Sequence, residues 1–188
     1  MRGTYKYFFI TLGALLLTSL AKAGKKMSSI KFTKFKANEA SKLLMLEEAL
    51  TNAGFTGDSL NFALAQLLFE SGRFTARSQV SVLNNNYSGI KFLNKPYQKA
   101  ERGSAVPSAE KYSNPNNPLN FYAKFSNIDD WAKDFKRILS FGAKPIQATN
   151  ISDYAQRLAN NHYYDTKKTN AVKNYTNGLK SYFDMFNK

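Results

Sequence analysis

No cysteine occurs anywhere in the 188 residues. That excludes disulfide staples, thiol nucleophiles, cysteine-bound zinc and a lipidated-cysteine anchor, so stability has to come from burial alone. Histidine is nearly as scarce. His162 is the only one, and a Ser-His-Asp triad or a histidine metal site would hang entirely on it; neither is expected, and no metal or other cofactor is. Acidic residues are few as well, 13 against 27 lysines and arginines, which leaves a formal charge of +14. No internal repeat is present.

What is there begins with a leader. Arg2 and Lys6 precede an uncharged run from Phe8 to Leu20, followed by Ala21-Lys22-Ala23. A basic start, a short apolar core and an A-x-A site define a secretory signal peptide over residues 1–23, with cleavage expected before Gly24. The apolar run falls short of the ~20 residues of a membrane span, and an uncleaved anchor is the alternative. The expected destination is the periplasm or the exterior. Residues 24–37 are lysine-rich and aperiodic and read as a mobile basic leader; residues 38–188 are expected to form one domain. Removing Arg2, Lys6 and Lys22 lowers the charge from +14 to +11. Such a basic, aromatic-rich chain suits either nucleic acid or an anionic cell envelope. The export signal favours the envelope, and no nucleic-acid partner is expected.

Periodicity and capping residues predict helices over about 38–52, 58–70, 128–141, 152–160 and 170–186. The second of these is apolar on most faces (Leu60, Phe62, Ala63, Leu64, Leu67, Leu68 and Phe69), as befits a helix at the centre of a domain. Four of the five prolines fall between 96 and 118. Turns and short strands are therefore predicted over 91–125, with alternation at 120–125 marking a strand. Trp131 and Tyr154 occupy core-like helical positions. The fold class is α+β, mainly helical with a small β-hairpin lobe.

The central helix ends in one carboxylate, Glu70, just before Ser71-Gly72. A lone acid anchored on a buried helix and facing a polar loop suits a proton donor whose pKa is raised by desolvation. The plainer reading is a solvated helix end.

Glu70-Ser71-Gly72 followed by Asn85-Asn86-Tyr87-Ser88-Gly89-Ile90-Lys91 resembles the Glu-Ser-Gly … Asn-Asn-Leu-Phe-Gly-Ile-Lys signature of glycoside hydrolase family 73, the N-acetylglucosaminidases of bacterial autolysins and flagellar peptidoglycan hydrolases. The resemblance spans roughly residues 42–180. Arg73-Phe74 stands where the family has Trp-Gly, and Tyr87-Ser88 where it has Leu-Phe. The resemblance implies a lysozyme-like domain whose hairpin forms one wall of a substrate groove, peptidoglycan glycan strands as partner, and a monomer. Its glutamate, matched by Glu70, is the general acid. Tyr163, in His162-Tyr163-Tyr164-Asp165-Thr166, resembles the tyrosine of the family's Gly-Tyr-Ala-Thr-Asp segment that lines the cleft.

Glycoside hydrolysis normally needs a second carboxylate, and the β region offers Glu101 and Glu110. Glu110 is preferred because it precedes the 120–125 strand much as the family's second glutamate precedes its own; assistance from the substrate's 2-acetamido group is the other route. Tyr87 and Tyr163 are candidates for sugar stacking or for packing, and Asn86 for binding an acetamido group or for setting the turn before Gly89. The expected activity is cleavage of the glycan after N-acetylglucosamine. A muramidase or lytic transglycosylase, or a non-catalytic wall-binding module, are the alternatives.

Overall fold

The most apolar stretch of the chain forms a helix buried along almost its whole length in the computed structural model, which describes residues 32, 35–74, 79–108 and 111–186. The elements in chain order are α1 (Ala37–Asn52), the central α2 (Gly57–Glu70), a short α3 (Gln79–Asn84), strand β1 (Ala100–Ala105), strand β2 (Phe121–Phe125), α4 (Ile128–Leu139), α5 (Ile151–Asn160) and α6 (Ala171–Phe186). The architecture is α+β, mainly helical with one two-stranded antiparallel sheet. No helix among the described residues is long and apolar enough to cross a membrane. The expected signal peptide lies outside the described residues.

In α2, Leu60 and every residue from Phe62 to Leu68 are buried. A helix of that kind must be covered on most faces, and α1 and α6 pack against it while α5 packs against α6. Each fully buried leucine or phenylalanine contributes about 2 kcal/mol, so this helix is the largest apolar investment in the fold. Thr56 precedes α2, which starts one residue before the expected 58, and its N–H donates to the Ser59 hydroxyl at 3.1 Å. At α1 the first turn is closed by Glu39, whose carboxylate accepts the Lys36 N–H at 3.0 Å, while Asn38 lies inside the helix. The caps of α4 and α5 are Asn127 and Asn150, each accepting an N–H three residues on at 2.8 and 2.9 Å.

The β lobe pairs Ala100 with Phe125, Glu101 with Lys124 and Arg102 with Ala123, then slips one residue to pair Ala105 with Phe121. On the other edge of β2, the Ala123 N–H donates to Ile90 and the Phe92 N–H to Phe121, at 2.8 Å each. The loop that follows α3 is thereby fastened to the sheet.

The end of the leader is docked rather than mobile. Phe32 and Phe35 are buried and meet Phe186 of α6 with ring centroids 6.1 and 5.7 Å apart. The folded unit therefore begins before residue 38.

Where α6 crosses α2, Gly178 leaves no room for a side chain: a Cβ there would overlap the ring of Phe69. Gly178→Ala should lower stability by about 1 kcal/mol in urea denaturation, because the clash outweighs the better helix propensity of alanine. Unchanged or raised stability would mean the helices separate freely.

Candidate active site

Glu70 stands on the last turn of α2, and a groove of ≈ 230 Å³ opens beside it, lined by Glu70 and Ser71, by Val80 of α3 and by the Asn86–Gly89 loop. Three side chains donate to its carboxyl group. The Tyr175 hydroxyl donates to Oε1 at 2.6 Å, the Gln66 amide donates to the same oxygen at 3.1 Å, and the Tyr163 hydroxyl reaches Oε2 at 3.4 Å. Glu70 keeps an exposed edge, yet its carboxyl is crowded on the protein side by these groups and the apolar helix end. Loss of surrounding water pushes its pKa up to about 7, against the opposing pull of the hydrogen bonds from Tyr175, Gln66 and Tyr163. Burial, and then the Glu70 charge, raise the phenols of Tyr154, Tyr163 and Tyr175 well above their ordinary range. All three therefore remain O–H donors at any working pH.

Gln66 is itself fixed. It is fully buried, and its carbonyl oxygen accepts the Tyr154 hydroxyl at 2.5 Å, which turns its NH₂ group toward Glu70. Tyr163 belongs to a second hollow, of ≈ 330 Å³, formed by residues His162 to Lys167. Its hydroxyl also lies 3.3 Å from the Ser88 carbonyl and so links the helix end to the loop opposite.

That loop is shaped from behind. Trp131 is fully buried; its indole N–H donates to the Ser88 hydroxyl at 3.1 Å, and its ring meets Tyr87 edge-on at 5.1 Å. Tyr87 is half-buried. Gly89 takes a left-handed φ of 63°, which glycine adopts without strain. Of the two roles open to Asn86, its hydrogen bonds show the turn-setting one. Its NH₂ donates to the carbonyls of Ile90 and Ala123 at 2.8 and 2.9 Å, and its oxygen accepts the Ile90 N–H at 2.9 Å. All three of these bonds go to backbone groups.

Arg73-Phe74, which departs from the expected motif, also has a local account. Gly72, Arg73 and Phe74 are consecutive left-handed residues, a strained path for the latter two. Arg73 is held there by a two-pronged ion pair with Glu39 at 3.0 and 2.7 Å, and the Phe74 N–H donates to the Ser71 hydroxyl at 3.0 Å.

The hairpin itself does not line the described groove; its wall is the Asn86–Gly89 loop, which the hairpin carries through Asn86. Glu101 is exposed on β1 opposite Lys124 and away from the groove lining. Glu110 lies outside the described residues. Among the described residues no cluster of three histidine or carboxylate side chains could hold a metal. His162 sits at the exit of α5 with a left-handed φ of 53° and its N–H on Ala159, a helix-end position.

Gln66, Tyr154 and Tyr175 are the members of the site that the sequence reading missed. Gln66 had a usable signal, being a polar residue four positions before Glu70 in an otherwise apolar run. Tyr175 is 105 residues from Glu70, and no local pattern joins them. No family model, curated protein or solved structure matches this chain significantly.

Two outcomes follow from this geometry. Asn86→Ala leaves the Ile90 N–H and the Ala123 carbonyl without a side-chain partner and should cost about 3 kcal/mol in urea denaturation; a cost near zero would mean the loop holds its shape without Asn86. Second, because the folded-state pKa of Glu70 lies above the ordinary carboxylate value, the folded chain binds more protons between about pH 4.5 and 7. Its contribution to stability is present at low pH and is lost as pH rises through 7. Glu70→Gln should therefore melt higher than wild type at pH 8, and the difference should vanish near pH 4. A constant difference across that range would contradict the raised pKa.

Proposed function

We propose that the protein is a secreted peptidoglycan hydrolase of lysozyme-like architecture, an endo-β-N-acetylglucosaminidase in which Glu70 is the general acid. The observation that carries this reading is the state of Glu70: a groove-lining carboxyl at the end of a buried helix, with its pKa pushed up to about 7 and two of its hydrogen-bond donors fixed by packing. A carboxylic acid still protonated near neutrality can pass its proton to the glycosidic oxygen as the C1–O bond breaks. The sugar left behind develops oxocarbenium character at C1. Either the Glu110 carboxylate or the substrate's own acetamido oxygen then stabilises that carbon until water adds, and Glu70, now ionised, accepts a proton from the water. Tyr87 lines the groove and is the candidate platform for a pyranose ring, while Tyr163 borders it with its hydroxyl, between Glu70 and the Ser88 carbonyl. The basic surface favours approach to an anionic wall and makes that approach salt-dependent.

One observation favours a second reading. Glu70 is the only carboxylate among the described residues that line the groove, and a single helix-borne acid also serves muramidases and lytic transglycosylases of lysozyme-like fold. The products discriminate. New N-acetylglucosamine reducing ends support the glucosaminidase, N-acetylmuramic acid ends a muramidase, and anhydro ends a transglycosylase.

Purified cell walls should lose turbidity with wild-type protein and release fragments with N-acetylglucosamine reducing ends by mass spectrometry. Glu70→Gln should slow this by about 10²-fold or more while leaving the circular dichroism spectrum intact. Near wild-type activity in Glu70→Gln would end the mechanism; wall binding without turnover by the wild type would leave a binding module.

A further inference from the structure

We infer that Tyr175 is a positioning residue that, together with Gln66, saturates Oε1 of Glu70 and so places the transferable proton on Oε2. The inference rests on the reading of Glu70 as the acid, but the Tyr175 bond to Glu70 on which it depends can be measured without any turnover.

The argument starts from the two oxygens, which are not equivalent. Oε1 accepts two hydrogen bonds, from the Tyr175 hydroxyl at 2.6 Å and the Gln66 amide at 3.1 Å, and these two donors use both lone-pair directions of a carboxyl oxygen. A proton on Oε1 would have to displace one of them. Neither donor can turn away freely. Gln66 is buried and oriented by Tyr154. Tyr175 stacks flat on Tyr164 at 3.9 Å and 10°, and its ring stands edge-on to Phe69 at 5.2 Å and 85°. One helical turn beyond it, the bare backbone of Gly178 lets α6 lie against Phe69. The hydroxyl is thus aimed by packing on both sides of its ring.

Oε2 has a different neighbour. The single hydrogen of Tyr163 has two acceptors at almost equal distance, Oε2 at 3.4 Å and the Ser88 carbonyl at 3.3 Å. When Glu70 is ionised, Tyr163 can donate to Oε2. When Oε2 carries the proton, Tyr163 can donate to Ser88 and leave its own oxygen free to accept from Glu70. No hydrogen bond is lost in either state. Protonation at Oε2 is therefore accommodated, and protonation at Oε1 is not. Ser88 lines the groove, so Oε2 is also the oxygen on the side of the loop a substrate would meet.

The groups that face the carboxyl are Tyr154 of α5, Tyr163 of the loop after it, Tyr175 of α6 and Gln66 of its own helix. Among the described residues no lysine or arginine is ion-paired with Glu70, and the nearest guanidinium in sequence, Arg73, is taken by Glu39. Tyr175 is the shortest of the carboxyl's contacts, and its loss should be felt by the ionised form most.

The test uses the full chain with ¹³C-labelled glutamate carboxyls, followed by NMR titration, beside the pH profile of wall hydrolysis. Tyr175→Phe keeps the ring contacts and removes the donor. It should move the Glu70 titration upward by about one pH unit or more, and the alkaline limb of hydrolysis should move up with it. At pH values below both limbs kcat should still fall, by about tenfold, with KM unchanged, because the proton is no longer confined to Oε2. Substituting 3-fluorotyrosine at 175, a more acidic phenol and a better donor, should shift both curves the other way. Tyr182→Phe, on the same helix but without a bond to Glu70, should shift neither. An unmoved titration in Tyr175→Phe, or the same direction of shift in both Tyr175 replacements, overturns the inference. A shifted titration in a protein that cuts no walls sustains the hold of Tyr175 on Oε1 and overturns the hydrolase instead.

Discussion

Helix α2 can be buried on nearly all sides only if Gln66, its buried polar side chain, is hydrogen-bonded within the protein. An unsatisfied amide in that position would cost on the order of the stability one buried leucine contributes. The requirement is met by a phenol on one side and a carboxyl on the other. Tyr154 fixes the amide from α5, and Glu70 receives it one turn further along α2. The same bond that makes the core tolerable thus holds the candidate acid in one orientation. Core and site share an element, so α5 and α6 serve both: their tyrosines close the apolar layer with their rings and reach Glu70 or Gln66 with their hydroxyls.

This sharing explains which parts could be read from the chain alone. The five long helices were placed within about two residues, because their ends are governed by local signals such as Asn127 and Asn150. The short α3 was not, since Gln79–Asn84 has no capping pattern and leaves Val82 and Leu83 exposed. Glu70 was visible as the one acid ending an apolar run, and Tyr163 through its surrounding motif. Asn86 stood in a recognisable loop, but its role was decided by the Ala123 carbonyl, 37 residues away. Phe35 looked like part of a loose basic leader because nothing near it announces Phe186. Long-range packing, not propensity, settled each of these.

The charge of the protein is arranged differently from the charge of its site. Several cations of the β lobe lie over aromatic rings, Arg102 over Phe121 at 3.5 Å and Lys91 over Tyr122 at 4.3 Å, where their stems cover apolar surface while the heads remain polar. Glu70 by contrast is surrounded by neutral donors. A nearby ammonium or guanidinium would lower its pKa and leave it ionised at neutrality. Among the described residues, no lysine or arginine is paired with this carboxyl in a strongly basic protein, and loss of water raises its pKa to about 7.

The clamp of Phe32 and Phe35 on Phe186 brings the first and last described parts of the chain together. The guanidinium of Arg73 lies 5.7 Å from the Phe35 ring on the same cluster, only three residues beyond Glu70. A circular permutant that joins these ends through a short linker and opens the chain at an exposed turn would preserve the fold's contacts. A tether attached just before Phe32 would likewise leave the domain beside the segment that follows its central helix, so the length of such a tether, rather than any hinge within the fold, would set how far the groove can travel from the point of attachment.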